Sequence, residues 1–357
     1  MALSHRENYL RMARFEGPEW MPCAVAISGA TWTQLRGELE DVLVRHPILF
    51  PGFEKGQRDW SKAEAELFRA ERTQFTDNWG CVWGVEIDGL EGIVYGHPLD
   101  DWSKLDTWRA PDPLTQADRA PMDWETHRRN TAAAKEQGSL TAGGMGHGFL
   151  FMRLYYLRGF ENLMVDIGTD EPRLQELIGL ITDHTEVVVR QWLGMGVDVM
   201  EFAEDLGLQD RSALSPAQFA KWVTPAYQRV MQPCRGAGAL VALHSDGHVM
   251  ELMDEFIRCG VDIINPQDLV NGIDNLAREV KGRMCIRLDI DRQSIVPFGT
   301  RQEIHDLIEE ETRKLGSPEG GLEMICGVYP PTPAENVDAL CEAMEEFRTW
   351  WWDGRGG

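Results

Sequence analysis

Residues 239–248 read ALVALHSDGH, an apolar run that changes abruptly to ionisable residues and glycine. A short apolar run of this kind is typical of a buried β-strand. In parallel α/β sheets and barrels, the side chains that bind or transform a ligand follow the carboxyl ends of the strands. The stretch therefore predicts a buried strand with a candidate functional site at its end. The alternative is a strand followed by a polar turn, in which Asp246 and Gly247 only make the bend.

Short apolar runs and amphipathic segments alternate through the C-terminal half of the chain. The strands predicted there are 197–202, 239–243, 261–264, 285–290 and 322–325. The helices predicted between and after them are 215–235, 249–259, 273–280, 301–315 and 334–351. Strands that alternate with helices in this way indicate a parallel β/α architecture.

The N-terminal half contains the same kinds of segment with more insertions. Ser4 is a candidate N-cap for the first helix, because Glu7 follows three residues later as its capping-box partner. Helices are predicted at 4–14, 30–45, 125–137 and 171–193. Strands are predicted at 21–27, at 77–87 with a return at 92–95, and at 149–154. The glycine-rich residues 143–146 are interpreted as a flexible loop, since they lack the Lys and Ser/Thr of a phosphate-binding loop.

The predicted fold class is α/β, as a (β/α)8 TIM barrel with an N-terminal extension and insertions. About three β/α units in the first half and five in the second suit that architecture. We expect one domain over residues 1–357, in which residues 1–150 include helical and hairpin decorations. A doubly wound open sheet is the alternative, although no predicted strand ends in a GxGxxG turn.

Composition excludes several classes of function. The formal net charge is −23, which argues against binding nucleic acid and against docking on anionic membranes. No apolar run approaches the ~20 residues that span a bilayer, and the polar N-terminus does not resemble a secretory signal. None of the seven cysteines forms a CxxC pair, so we expect reduced thiols and a cytoplasmic protein.

Polar or metal-binding residue types follow each predicted strand of the C-terminal half. A role in helix capping explains any one of them, but explains all five groups together less well. The groups, in chain order, are Glu201 and Asp205, His244 and Asp246, Asn265 and Gln267, Asp289, and Cys326 and Tyr329.

Two chemistries are open to these residues. His244 and Asp246 lie two positions apart and point the same way in an extended segment, so they are candidate zinc ligands together with Cys326 and Glu201, or with Asp205 as the fourth group. Alternatively, Asp205, Asp246 and Asp289 act as coupled acid/base groups. The candidate substrate-binding residues are Asn265, Gln267, Tyr329 and Tyr156, with Trp79 and Trp83. Trp79, Trp83 and Trp102 either form an aromatic wall or pack in the core.

A series of motifs resembles the uroporphyrinogen decarboxylase superfamily over roughly residues 150–350. It begins with YLRGFENL at 156–163, HSDG at 244–247 and GVDIINP at 260–266. It continues with Asp289 followed by PFGT at 297–300, and with GG at 320–321 before PTPAENV at 331–337. The resemblance implies a (β/α)8 barrel. It also implies one of two activities: decarboxylation of a porphyrinogen without a cofactor, or zinc-dependent methyl transfer with a corrinoid protein or a thiol.

The methyltransferase branch fits the sequence better. Residues 21–28 read MPCAVAIS, where the decarboxylases carry an RQAGR motif for the substrate carboxylates. The methyltransferases carry HxCG at the end of this strand and a later Cys; His244 and Cys326 match, and Asp246 replaces the first Cys. The resemblance thus implies transfer of a methyl group from a small methylated donor, such as a methoxylated aromatic, to a corrinoid protein, by a homodimeric zinc enzyme. The alternatives are a metal-free decarboxylase or lyase acting on a smaller acid, and a non-catalytic binding protein.

Overall fold

The computed structural model describes residues 3–66 and 74–356. Its strands are β1 (Cys23–Ile27), β2 (Gln74–Thr76), β3 (Val82–Gly84), β4 (Ile93–Gly96), β5 (Ala142–Gly144), β6 (Val199–Glu204), β7 (Leu240–Ser245), β8 (Ile263–Pro266), β9 (Cys285–Asp289) and β10 (Leu322–Val328). Within the described residues, seven of these strands form one parallel sheet in the order β1-β10-β9-β8-β7-β6-β5. The strands β2, β3 and β4 pair separately and antiparallel.

Helices surround the sheet. In the first half they are α1 (His5–Arg14), α2 (Gly29–Leu35), α3 (Gly37–Leu43), α4 (Trp60–Glu66), α5 (Trp124–Glu136), α6 (Phe151–Arg158), α7 (Phe160–Thr169) and α8 (Pro172–Gly194). In the second half they are α9 (Pro216–Trp222), α10 (Thr224–Gly236), α11 (Met253–Cys259), α12 (Asp268–Asn271), α13 (Ile273–Glu279), α14 (Ile295–Phe298), α15 (Arg301–Leu315) and α16 (Ala334–Phe347). None of the helices in the described part of the chain is both long and apolar enough to cross a membrane.

The predicted α/β-barrel class is confirmed. Side chains of β1, β6, β7, β8, β9 and β10 line one cavity of about 570 Å³, so the parallel sheet curls around it. We call this space the barrel cavity. The five strands predicted in the second half are all present. The first half supplies two parallel strands to the sheet, β1 and β5, where about three were expected, and the antiparallel strands β2–β4 account for the hairpin predicted at 77–95.

The two faces of the parallel strands bury different partners. Outward-facing residues such as Val241 and Leu243 are buried in a core with the helices, including Phe256 of α11. Inward-facing residues at the strand starts, such as Ala242, Ile263 and Cys285, pack in a second core with α1. Burial on both faces explains why these strands read as continuous apolar runs. The helix α1 therefore closes the amino-terminal end of the barrel and leaves its carboxyl-terminal end for the functional site.

One segment predicted as a strand is a helix. The sequence predicts extended backbone at residues 149–154, but α6 begins at Phe151. The carboxylate of Glu204 accepts the backbone N–H groups of Leu150, Phe151 and Met152 at 2.7, 2.8 and 2.8 Å, which satisfies the free donors of the first helical turn. Because α6 is buried on most sides, its apolar run lacks the amphipathic pattern that separates helix from strand.

Two long predicted helices are each divided in two. The segment predicted at 30–45 is α2 and α3, separated at Arg36, which has φ of 47°. The segment predicted at 215–235 is α9 and α10, and the second begins with Pro225 in its first turn. Proline suits a first helical turn, where its missing N–H is not needed. The glycine-rich residues 143–146, predicted to be a flexible loop, instead supply Gly143 and Gly144 to β5. The other predicted helices and strands agree with the structure to within a few residues.

Candidate active site

Three side chains with metal-binding atoms meet at the carboxyl ends of adjacent strands. His147 follows β5, Asp205 follows β6, and His244 lies near the end of β7. One ligand atom from each of them lies within 4.8 Å of the other two. Since β5, β6 and β7 are neighbours in the sheet, their ends bring these residues together. We refer to His147, Asp205 and His244 as the histidine–aspartate cluster.

His147 and Asp205 form an ion pair within the cluster. Nε2 of His147 lies 3.2 Å from Oδ1 of Asp205. Burial by itself would lower the pKa of His147, but the hydrogen bond and the charge of Asp205 outweigh it and raise that pKa. Burial likewise opposes ionisation of Asp205, yet the same hydrogen bond and the positive charge of His147 lower its pKa. Asp205 is therefore a carboxylate at neutral pH and the anionic member of the cluster.

His244 has a ring orientation fixed by the next strand. In the register of β7 and β8, His244 stands opposite Asn265, and its Nδ1 lies 2.8 Å from Oδ1 of Asn265. The amide Nδ2 of Asn265 donates to the carbonyl oxygen of Arg287 at 2.6 Å, which identifies Oδ1 as the acceptor. Nδ1 of His244 is thus the protonated nitrogen, and Nε2 faces Asp246 at 3.5 Å and Asp205 at 3.9 Å. Burial lowers the pKa of His244, so Nε2 carries a free lone pair.

The loop that carries His147 is held against β6. The backbone N–H of Met145 donates to the backbone carbonyl oxygen of Glu201 at 3.2 Å. The backbone N–H of Gly148 donates to the backbone carbonyl oxygen of Ala203 at 2.9 Å. Gly148 has a φ of 82°, a conformation that favours glycine, and a Cβ there would lie 2.8 Å from Cβ of Met152. These contacts fix the position of His147 relative to Asp205.

A second polar group lies beside the cluster. Nη2 of Arg292 contacts the two carboxylate oxygens of Asp246 at 2.8 and 2.7 Å, and its Nη1 lies 3.1 Å from Oδ2 of Asp289. Burial, with the charges of neighbouring carboxylates, raises the pKa of Asp289 to about 7 although Arg292 opposes this. The guanidinium also lies 5.5 Å from the ring centroid of Tyr329. The predicted acid/base residues Asp246 and Asp289 thus share one arginine.

The cluster does not include three of the predicted metal ligands, although two of them, Glu201 and Cys326, line the same barrel cavity as His244. Glu201 lies on β6, and its Oε1 pairs with Nη1 of Arg287 at 3.0 Å. Cys326 is buried on β10, where Sγ lies 3.9 Å from the oxygen of Ile290 and 3.8 Å from that of Gly327. Burial raises the pKa of its thiol well above the usual range. Asp246, the third predicted ligand beside His244, pairs with Arg292 as described above.

Two cavities meet the cluster from different sides. His244, Asn265, Asp289 and Tyr329 line the barrel cavity. His147 lines a separate space of about 350 Å³, which we call the upper cavity. Cavities of this size accommodate small organic ligands. The upper cavity is lined by Trp83, Glu91, Gln116, Ala117, Asp118, Arg119, Ala120, Met122, Gly144, Met145, Gly146, His147, Tyr156, His184 and Val188.

Of the predicted substrate-binding residues and the tryptophans of the predicted aromatic wall, some line a cavity and others pack behind it or support a loop. Trp83 and Tyr156 both line the upper cavity, with ring centroids 5.0 Å apart. Trp79 is buried behind that wall, against the ring of His184 at 4.6 Å. Trp102 packs under Arg158, whose guanidinium lies 4.0 Å from its ring centroid. The side chain of Gln267 accepts the N–H of Gly247 at 3.0 Å and so supports the loop after β7.

The fold and the cluster together define an α/β-barrel protein with a polar site at the carboxyl ends of its strands. The family model of uroporphyrinogen decarboxylase (URO-D) matches residues 78–347. The chain therefore belongs to the uroporphyrinogen decarboxylase family, an enzyme family, which confirms the resemblance described above.

Relatives within this family carry two different activities in their names. Over 278 residues, 74% of this chain and 75% of the relative, the sequence is 28% identical to a uroporphyrinogen decarboxylase of Thermus thermophilus. Over 271 residues, 75% of each protein, it is 21% identical to the methylcobamide:CoM methyltransferase MtaA of Methanosarcina barkeri. A solved structure of a methyltransferase from Methanosarcina mazei superposes with a TM-score of 0.65 and 18% identity, over 96% of this chain and 98% of that one. The superposition shows a shared fold.

Proposed function

We propose that the protein is a zinc-dependent methyltransferase that moves a methyl group from a methoxylated aromatic compound to the cobalt of a corrinoid protein. The observation that carries the proposal is the histidine–aspartate cluster beside an aromatic cavity. Methyltransferase relatives, one of which has methylcobamide in its name, support the choice of acceptor. Trp83 and Tyr156 contribute apolar ring surface to the wall of that cavity.

The donor set of the cluster suits zinc. Two imidazoles and one carboxylate, with one coordination position left for a ligand, are a common arrangement in catalytic zinc sites. The Nε2 lone pair of His244 is free, and the hydrogen bond from Nδ1 to Asn265 holds the ring in place. Binding of a cation would replace the proton that His147 shares with Asp205. We therefore assign His147, Asp205 and His244 as ligands in place of the set predicted from the sequence.

The proposed reaction breaks a bond between the methyl carbon and the ether oxygen. The methyl group passes to cob(I)alamin, whose cobalt supplies the electron pair of the new carbon–cobalt bond. The electron pair of the broken bond stays on oxygen, and the phenolate that leaves takes a proton from water. Zinc would stabilise the negative charge that develops on that oxygen. The walls of the upper cavity would orient the ring and keep its ether group near His147.

Metal analysis combined with a transfer assay tests the proposal. We expect about one zinc per chain, loss of it in His147→Ala and His244→Ala, and formation of methylcobalamin from methoxylated aromatics by the intact protein. His305→Ala is the control, because His305, Asp306 and Glu309 of α15 form another group with suitable ligand atoms. Zinc that is retained in His244→Ala and lost in His305→Ala would contradict the assignment.

A metal-free decarboxylase is the second candidate, because Arg292 and Asp289, a carboxyl group with a raised pKa, both line the barrel cavity. Arg292 can bind a substrate carboxylate, and Asp289, with its pKa near 7, can donate a proton to the carbon that loses carbon dioxide. This candidate expects turnover that survives strong chelators and is lost in Asp289→Asn. The methyltransferase expects the opposite response to chelators, so one experiment separates the two.

A further inference from the structure

Asp246 lies beside the histidine–aspartate cluster without belonging to it. Its Oδ1 is 3.5 Å from Nε2 of His244, the nitrogen that the proposed function assigns to zinc. Two ligand atoms on a tetrahedral zinc ion, with bonds of about 2.0–2.1 Å, are about 3.3 Å apart. By its distance from His244 alone, Asp246 is therefore placed as a further metal ligand would be.

Both carboxylate oxygens of Asp246 are bound by one arginine. Nη2 of Arg292 contacts Oδ1 at 2.8 Å and Oδ2 at 2.7 Å, while Nη1 lies 3.1 Å from Oδ2 of the buried Asp289. Hydrogen bonds between charged partners are roughly twice as strong as those between neutral ones. The carboxylate of Asp246 is thus engaged by Arg292 and is not free to bind a cation.

The backbone that carries Arg292 is held on both sides. The N–H of Asp291 donates to Oδ2 of Asp268 at 2.8 Å, and Oδ2 of Asp291 accepts the N–H of Ser294 at 2.9 Å. Asp268 and Asp291 are both buried. Because these bonds fix the loop after β9, the guanidinium reaches Asp246 from a rigid base and loses little conformational freedom in doing so.

A fourth protein ligand would close the proposed zinc site. Structural zinc sites have four protein ligands, whereas catalytic sites have three and keep one position for water or substrate. His147, Asp205 and His244 already supply three ligand atoms. If Asp246 also bound the metal, a tetrahedral ion would have no position left for the ether oxygen of a methyl donor.

We propose that Arg292 is a positioning residue that keeps Asp246 from binding the zinc ion and so keeps one coordination position open for the methyl donor. The inference rests on the proposed function for the metal, and deepens it by naming the residue that separates an open site from a closed one. Loss of the guanidinium of Arg292 should free the carboxylate of Asp246 to become the fourth ligand.

A double-mutant cycle on zinc affinity tests the proposal without any corrinoid or methyl donor. Competition with a chromogenic chelator compares the intact protein, Arg292→Leu, Asp246→Asn and the double variant. We expect Arg292→Leu to bind zinc about ten-fold more tightly than the intact protein. Asp246→Asn should lower zinc affinity about ten-fold more in the Arg292→Leu background than in the intact protein. Equal changes in both backgrounds, which the two charges would cause by electrostatics alone, would overturn the proposal.

Visible spectra of the cobalt(II)-substituted protein test whether a coordination position is open. Neutral imidazole is the probe, since its binding does not depend on attraction to the charge of Arg292. It should change the spectra of the intact protein, of Arg292→Lys, which keeps the positive charge, and of the double variant, but not that of Arg292→Leu. Arg211→Leu, which removes an exposed partner of Asp210, is the control and should respond as the intact protein does.

Two spectroscopic results would contradict the role of Arg292. One is an imidazole response in Arg292→Leu equal to that of the intact protein. The other is a change in the cobalt spectrum caused by Asp246→Asn before imidazole is added, which would mean that Asp246 is already a ligand while Arg292 is present. The second result needs only the Asp246→Asn variant, so the test does not depend on the folding of Arg292→Leu.

The outcomes separate this inference from the proposed function. A protein with unequal changes in the cycle and an open position, but without formation of methylcobalamin, would retain the role of Arg292 and lose the reaction. A protein that forms methylcobalamin while the cycle is additive would retain the reaction and lose this inference. A protein that binds neither zinc nor cobalt would lose both.

Discussion

Nδ1 of His244 donates a hydrogen bond of 2.8 Å to Oδ1 of Asn265 on the neighbouring strand. The bond follows from the register, because the two residues are direct partners across β7 and β8. Asn265 is itself held through its amide group by the oxygen of Arg287. The outcome is a histidine whose Nε2 is free and directed toward Asp205. Asn265 is thus a positioning residue for the proposed metal site.

Replacing Asn265 with leucine should weaken zinc binding. Loss of a partner that orients a metal-binding histidine typically lowers affinity about 10- to 100-fold. Competition with a chromogenic chelator measures this directly. Asn265→Asp keeps an acceptor for Nδ1 and should lose less affinity than Asn265→Leu. Asn130→Leu, at an exposed position of α5, is the control. Unchanged zinc affinity in Asn265→Leu would show that the bond to His244 has no part in metal binding.

Cys326→Ala should leave the zinc content unchanged. The thiol is buried on β10, outside the histidine–aspartate cluster, so its removal should lower stability by about 1 kcal/mol without loss of metal. Zinc analysis and chemical denaturation of the same preparation check both expectations. Cys341→Ala, a buried cysteine on α16, is the matched control. Loss of zinc in Cys326→Ala alone would restore the ligand set that the resemblance implied.

Sheet order explains why His244 lies close to His147 and Asp205, whereas Cys326 lines the same barrel cavity as His244 from a strand further round the sheet. The strands β7 and β10 are separated by β8 and β9, whereas β6 adjoins β7 and β5 adjoins β6. Neighbouring strands are ~4.8 Å apart, so each added strand moves a residue further round the barrel. The sequence predicts which residues follow strand ends, but distances between strand ends depend on the order and curl of the sheet.

His147 is absent from the predicted site residues because the strand before it, β5, is not predicted from the sequence. The strand β5 is short and consists of Ala142, Gly143 and Gly144, so it lacks the apolar pattern of the other strands. The buried helix α6, which follows β5 in the chain, contains the mostly apolar residues 151–154. Because a mostly apolar run of this length is also typical of a buried strand, the sequence predicts a strand at 149–154. Placing the strand at the glycines would have made His147 a strand-end residue like His244. The C-terminal half was predictable because its strands are apolar and its helices amphipathic.

Gly148→Ala should destabilise the loop that carries His147. Alanine would adopt a φ of 82° and bring its Cβ within 2.8 Å of Cβ of Met152 and 2.9 Å of the ring of Tyr156. Strain and overpacking together should cost about 2–3 kcal/mol in the free energy of unfolding. Gly168→Ala, in the last turn of α7 with open space around it, should be neutral or stabilising by up to ~1 kcal/mol. Urea denaturation compares the two variants, and equal stability would contradict the close packing at Gly148.

Asp338 on α16 should make stability depend on pH in the acid range. Its carboxylate accepts from Arg301 at 2.8 Å, from Arg45 at 2.7 Å and from His46 at 3.1 Å. Burial opposes ionisation, but these hydrogen bonds outweigh it and lower the pKa of Asp338 from 3.8 to about 2. Because the pKa is lower in the folded state, the stabilisation is complete above the unfolded pKa and is lost as the pH falls through about 2.

Asp338→Asn should therefore cost roughly 1–2 kcal/mol at pH 7, after allowance for the partial exposure of the group. The cost should be the same at pH 5. It should fall to about half by pH 3, because this pH lies between the folded pKa of about 2 and the unfolded pKa of 3.8, where the stabilisation by the ionised carboxylate is partly lost. Denaturation of both proteins at pH 7, 5 and 3 gives the three differences. Asp41→Asn removes an exposed partner of Lys55 and should change stability by less than ~0.5 kcal/mol at each pH. A cost for Asp338→Asn that stays constant down to pH 3 would mean that its hydrogen bonds do not favour the ionised form, and that the arginines contact this helix end without stabilising its charge.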